Sequence, residues 1–110
     1  MTPASTAMSD DTQREPAPAA RERIVVAGLG RAGLDVACAF AMHARAQLVG
    51  FVEPRTELRR FVRGVGFKEH SEATLARWLE KNACDAVVVC APAEEAVAFV
   101  EEAVKAGVAV

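Results

Sequence analysis

The residues with the clearest chemical potential are Gly28-Leu29-Gly30-Arg31-Ala32-Gly33, a G-x-G-x-x-G string. In that spacing the first glycine permits a tight turn, the second lets a pyrophosphate come against the backbone, and the third lets a helix pack closely on the preceding strand. Free amides at the start of such a helix, at the positive end of its dipole, attract phosphate. Alone the string is a weak signal, compatible with a glycine turn that serves only packing. Glu53 strengthens it. It lies twenty residues beyond Gly33, at the end of an apolar run, where a carboxylate can accept hydrogen bonds from ribose hydroxyls. A carboxylate there repels a 2′-phosphate and favours NAD, whereas Arg55, two residues on, can accommodate that phosphate and keeps NADP open. Arg31 reads equally as a pyrophosphate contact or as a solvent-facing helix start. Arg55, Arg59, Arg60 and Arg63 alternate with Leu58, Phe61 and Val62, as the wet side of an amphipathic helix does.

A second group is Cys90-Ala91-Pro92, at the carboxyl end of an apolar run. In open parallel sheets ligands bind at that edge, and this backbone is expected to border the nicotinamide half of a dinucleotide. No histidine or other base is near Cys90 in sequence, so it is not read as a nucleophile. His43 and His70 have no second ligand or acid at useful spacing and read as surface or cap residues. Cys38, Cys84 and Cys90 are odd in number and show no C-x-x-C spacing, so they read as reduced core thiols, with neither a disulfide framework nor a metal site. No catalytic residue is assigned.

The elements that must position these groups follow from periodicity. Ile24-Val25-Val26-Ala27 is a run apolar on successive residues, as in a strand buried on both faces. Gly33, Val36, Ala37, Phe40 and Ala44 then recur at helical spacing. Leu48 to Val52 is a second strand, stopped by Glu53-Pro54. Leu58, Phe61 and Val62 mark a short helix ended by Gly64 and Gly66. A third strand is expected near Phe67 to Glu69, followed by a helix capped by Ser71 with Leu75, Trp78 and Leu79 inward. Asp85 to Cys90 is the fourth strand. After Pro92, Glu94 and Glu95 enrich the first turn of a helix whose Val97, Val100 and Val104 are expected to face the sheet. Gly107 ends it as a left-handed cap, and Val108 to Val110 open a fifth strand. Strands alternating with helices specify an α/β fold, a Rossmann-type doubly wound parallel sheet of about five strands in order 3-2-1-4-5.

Composition bounds the remaining classes. With 110 residues, 13 Lys+Arg against 15 Asp+Glu and a formal charge of −2, the chain holds one domain at most and is not a basic nucleic-acid binder. No apolar stretch approaches the ~18 residues of a membrane span, and no signal sequence is present, so a cytoplasmic location is expected. Residues 1–22, with Pro3, Pro16 and Pro18 among small and polar residues, read as a disordered leader, and 23–110 as the dinucleotide-binding domain. Because the sequence stops in an apolar run at Gly107-Val108-Ala109-Val110, the domain is expected to be incomplete at its C-terminus.

With these features in place, Arg23 to Val110 resembles the nucleotide-binding half of the Gfo/Idh/MocA oxidoreductase family. The resemblance is carried by Ile24 to Gly33, Leu48 to Glu53, Asp85 to Pro92 and Ala106 to Val110. It implies binding of NAD or NADP by Gly28, Leu29, Gly30, Arg31, Ala32, Gly33, Glu53, Arg55, Cys90, Ala91 and Pro92. It further implies oxidation or reduction of a hydroxyl on a sugar, inositol or related compound. In that family a Glu-Lys-Pro segment and a second domain supply the active-site lysine, a histidine and the substrate pocket, and none of these residues occurs here. The chain alone is therefore expected to bind cofactor and turn over nothing, with a missing or separate catalytic domain as its partner.

Three departures from the family pattern stand out. Glu53 replaces the usual aspartate, Ala91 a frequent threonine, and Ala96 a common histidine. A competing reading is a non-catalytic sensor similar to the nucleotide-binding regulatory domains of potassium transport systems, which would pair with itself or with a transporter. Homo-oligomerisation stays open under either reading. A module for another nucleotide, such as coenzyme A, is the third reading, and the ribose-directed Glu53 argues against it.

Overall fold

A computed structural model describes residues 21–110. The expected leader lies outside these residues except for its last two, and Glu22 already belongs to a strand. In chain order the elements are β1 (Glu22–Ala27), α1 (Arg31–Ala41), β2 (Ala46–Val52), α2 (Thr56–Gly64), β3 (His70–Glu72), α3 (Leu75–Leu79), β4 (Ala86–Val89) and α4 (Ala93–Ala106). The strands form one parallel sheet in the order β3-β2-β1-β4. Val108 to Val110 do not form a named strand. Ala109 instead makes a single parallel bridge to Ala86, with the Val87 amide donating to its carbonyl at 2.8 Å. That contact lies beside β4, where a fifth strand was expected.

The sheet buries a separate core on each face. On one, Val25, Ala27, Val52 and Val87 pack with Leu75 and Trp78 of α3 and with Phe99 and Ala103 of α4. On the other, Val26, Leu48 and Phe51 pack with Leu29, Ala37 of α1 and Val62 of α2. This two-sided burial is why β1 and β2 read as continuous apolar runs rather than alternating ones. Among the described residues no helix is long and apolar enough to cross a membrane.

Five expectations shift. The third strand lies at His70–Glu72, beyond Phe67 to Glu69, because Phe67 packs edge-on against Phe51 with ring centroids 5.4 Å apart and the strand begins only after that aromatic is placed. Ser71 therefore belongs to the strand, and the cap of α3 is Thr74, whose hydroxyl accepts from the Arg77 amide at 3.2 Å. On α4 the sheet-facing residues are Phe99 and Ala103, while Val97 and Val104 are 57% and 67% exposed. The large aromatic fills the space over the sheet, and a β-carbon alone at position 103 lets the helix come close. In α1 the buried residues are Gly33 and Ala37, Ala44 lies past the helix end, and Cys38 is an exposed thiol rather than a core one.

Gly50 fixes the spacing on the α3 side. Trp78 is fully buried, its indole donates to the His70 carbonyl at 2.9 Å, and a β-carbon on Gly50 would overlap that indole. Only a glycine in β2 leaves room for the ring. Gly50→Ala is expected to destabilise the fold by about 1–3 kcal/mol through overpacking, measured by denaturant unfolding; an unchanged midpoint would show that the indole moves freely.

Candidate functional site

The carboxyl ends of β1, β2 and β4 converge on the glycine turn. Gly28 has φ +97°, a conformation that favours glycine, and its amide donates to the Val52 carbonyl at 2.9 Å. A β-carbon on it would stand 2.5 Å from the Cys90 carbonyl oxygen. On Gly33 a β-carbon would overlap the Gly28 carbonyl oxygen, so the first turn of α1 rests directly on the turn that precedes it. The Cys90 amide in turn donates to the Ala27 carbonyl at 2.7 Å. Gly28, Gly33, Cys90 and Ala91 thus meet as one knot of close backbone.

Gly30 differs from its two neighbours. Its φ of −68° and ψ of −171° are open to any residue, and a β-carbon there would meet nothing within 4 Å. Neither strain nor packing inside the chain demands a glycine here; its effect is to keep the space above the turn clear. Gly30 is also the N-cap of α1 and offers no side-chain cap to that helix. The first intrahelical bond runs from the Leu34 amide to the Gly30 carbonyl at 3.0 Å, so the amides of the first turn point toward the same clear space. Arg31 and Ala32 occupy that turn and are exposed. The arrangement suits an anion.

Glu53, at the end of β2, is fully buried. One carboxylate oxygen accepts from the Leu29 amide at 2.8 Å; the other accepts from the Arg55 amide at 2.9 Å and from Arg55 Nε at 2.9 Å. Burial raises the pKa of this carboxyl, but the hydrogen bonds from the Arg55 side chain, the Arg55 amide and the Leu29 amide, with the Arg55 charge, outweigh it and hold the group below its ordinary value. The carboxylate is thus ionised and ties the glycine turn to the end of β2.

Arg55, the N-cap of α2, and the arginines within that helix do not form a uniform solvated face. Arg55 lies over Glu53 and also reaches Glu95, in the first turn of α4, at 3.7 Å. Arg59 folds back on the helix start, where it donates to the carbonyls of Glu53 and Pro54 and to Thr56 Oγ1. Arg60 and Arg63 are exposed, as expected. Pro92 is the N-cap of α4. Burial pushes the Cys90 thiol up, which keeps it protonated. His43 accepts from the Arg45 amide at 3.0 Å in a surface turn. His70 lies on β3 rather than in a loop, held between Glu72 at 2.8 Å and Asn82 at 3.0 Å.

The structure therefore joins Gly28, Leu29, Gly33, Glu53, Arg55, Cys90 and Ala91 through direct contacts, and sets Gly30, Arg31, Ala32 and Pro92 at the rims of the same edge. Spacing marks Arg59 only as part of a solvated helix face and Glu95 only as a first-turn carboxylate, and neither as part of this edge. Glu95 had only a helix-dipole signal, since its proximity to Arg55 depends on β4 and α4 lying where the topology puts them. Because the folded-state pKa of Glu53 is lowered from 4.5, its contribution to stability is complete above that value and is lost as pH falls through the lower folded-state pKa. As pH falls below about 4.5, melting temperature should decline more steeply for the native chain than for Glu53→Gln; equal slopes would show that Glu53 does not carry the dependence.

Comparison with known proteins places this geometry. Residues 22–110 match the family model described as oxidoreductase family, NAD-binding Rossmann fold. No protein of curated function matches the sequence. An inferred dehydrogenase of Bordetella bronchiseptica RB50 is 30% identical, with a TM-score of 0.70 over 80% of this chain and 23% of its own. The scyllo-inositol dehydrogenase of Lactobacillus casei, solved with NAD(H) and scyllo-inositol, is 23% identical, with a TM-score of 0.66 over 80% of this chain and 26% of its own. The WlbA dehydrogenase of Bordetella pertussis, solved with NADH and UDP-GlcNAcA, is 23% identical, with a TM-score of 0.73 over 84% of this chain and 27% of its own. This chain spans about a quarter of the length of these solved relatives. With its glycine turn, its 3-2-1-4 sheet and a family match over 22–110, the chain belongs to the Gfo/Idh/MocA oxidoreductase family and is an NAD-binding Rossmann domain of it.

Proposed function

We propose that NAD lies along the carboxyl edge of the sheet, held by Gly28 to Gly33, Glu53, Arg55 and Cys90 to Pro92, in the cofactor-holding part of an oxidoreductase acting on a hydroxyl of a sugar, inositol or related compound. The observation that carries this reading is the empty space over Gly30, a residue whose backbone and surroundings tolerate a side chain, beside a helix start with no side-chain cap. A pyrophosphate fits both features: the missing β-carbon admits it and the first-turn amides of α1 donate to it. The fit extends to Glu53, whose ionised oxygens suit ribose hydroxyls once Arg55 turns aside from them.

Bound NAD supplies hydride transfer, and the protein supplies binding and orientation. In this chain the knot formed by Gly28, Gly33 and Cys90 sets the height of the α1 amides over the sheet. Cys90-Ala91-Pro92 presents backbone, with a protonated thiol, to the part of the edge nearest β4. The substrate groups and the proton-transfer groups belong to a further domain, in keeping with the share of the solved relatives that this chain spans. The substrate class follows the dehydrogenases to which the chain is similar.

Replacing Gly30 by alanine separates cofactor binding from folding. In titrations followed by NADH fluorescence, Gly30→Ala is expected to weaken binding by about tenfold or more, through displaced charge-assisted hydrogen bonds to phosphate. Its unfolding free energy should fall by only about 1 kcal/mol, the cost of alanine in place of glycine at an N-cap, so the chain stays folded where binding is measured. Binding that survives Gly30→Ala undiminished would place the pyrophosphate elsewhere. The purified chain is expected to bind NADH without dehydrogenase turnover.

A further inference from the structure

Two carboxylates converge on Arg55 from different parts of the sheet edge. Its guanidinium meets the buried Glu53 through Nε at 2.9 Å and Nη2 at 3.4 Å, and Nη2 also faces Glu95 Oε1 at 3.7 Å. Glu53 alone would neutralise it. Glu95 is the extra charge, and Glu57 acts on Arg55 as a third carboxylate. Arg59 is directed at the carbonyls of Glu53 and Pro54 and at the Thr56 hydroxyl. Two carboxylates thus share the Arg55 guanidinium while Arg59 is committed to neutral acceptors, so a phosphate arriving at Arg55 finds it already paired.

We propose that Glu95 is a cofactor-selecting residue that acts through Arg55, holding its guanidinium away from a 2′-phosphate and favouring NAD over NADP. This rests on the placement of NAD proposed above. When ribose hydroxyls take the oxygens of Glu53, Arg55 leaves them, and Glu95 is the carboxylate already beside it. With NAD, which has no 2′-phosphate, Arg55 rests against Glu95 and its charge stays paired. With NADP, the 2′-phosphate must draw Arg55 away from Glu95 and must approach Glu95 itself. Both effects weaken NADP, and neither touches NAD. Arginine near the ribose is a feature that ordinarily accommodates a 2′-phosphate, and Glu95 cancels it.

The test is the ratio of the NADPH to the NADH dissociation constants, measured by fluorescence titration at low salt for the native chain, Glu95→Gln, Glu95→Ala, Arg55→Gln and the Arg55→Gln/Glu95→Gln double variant. Native chain should prefer NADH. Glu95→Gln and Glu95→Ala should each lower the ratio by about fivefold, the upper range for an exposed ion pair. In the Arg55→Gln background the same change at 95 should have no more than about half that effect on a logarithmic scale, because the two residues are coupled. An unchanged ratio in both Glu95 variants, with NADH still bound, overturns the inference and leaves the cofactor site intact. An equal fall with and without Arg55 also overturns it, since Glu95 would then act alone. Failure of the native chain to bind either dinucleotide overturns both the inference and the site on which it rests.

Discussion

Backbone lies against backbone where the first turn of α1 crosses the end of β1, and the remainder of the site is arranged around that approach. The Gly28 carbonyl occupies the place that any side chain at position 33 would need, and the Cys90 carbonyl occupies the place that one at position 28 would need. Two glycines are thus required before β1, β4 and α1 can share an edge. Their joint effect is to bring the amides at the start of α1 within reach of a ligand that sits on the sheet, without a side chain in between. The cost is borne locally, in a positive φ at Gly28 and in lost packing atoms. Elsewhere the fold compensates by burying Phe51, Trp78 and Phe99 on the two faces.

Glu53 links this edge to the next strand. A carboxylate wholly out of solvent needs partners for its lone pairs, and it has them in the Leu29 amide, inside the glycine turn, and in Arg55. The turn and the end of β2 are consequently one hydrogen-bonded unit rather than two loops that happen to be adjacent. Arg55 carries the unit further, to Glu95 on α4. The glycine turn and the Leu29–Glu53 bond are thus set before a ligand arrives, which is pre-organisation, while Arg55, held between Glu53 and Glu95, is the part of the edge that has to move.

Much of this was legible in the chain itself, for reasons that can be traced to particular residues. The runs Ile24 to Ala27 and Leu48 to Val52 are buried on both sides, so their composition reports a parallel sheet directly. The close approach at Gly33 is local, since a β-carbon there would meet the Gly28 carbonyl five residues back, whereas the limit on Gly28 comes also from Cys90 on a distant strand; a left-handed Gly107 closes α4 as its position suggested. What periodicity could not resolve was choice among several apolar stripes. On α4, Val97-Val100-Val104 and Phe99-Ala103 both have helical spacing, and only the volume available over Val87 and Val25 decides between them. Likewise Phe67 looked like strand because it is apolar, whereas its ring is used against Phe51 before the strand begins. The Arg55 to Glu95 contact spans two crossovers and has no signature in spacing at all.

Backbone amide chemical-shift mapping during titration with NADH reports where along the chain the cofactor rests. Perturbations should saturate together at Gly28, Leu29, Gly30, Arg31, Ala32, Gly33, Glu53, Arg55, Cys90 and Ala91, with the groove between α3 and α4 near Ala76, Leu79 and Ala106 unaffected. Shifts centred on that groove, or none at the glycine turn at saturating NADH, would contradict cofactor binding at this edge.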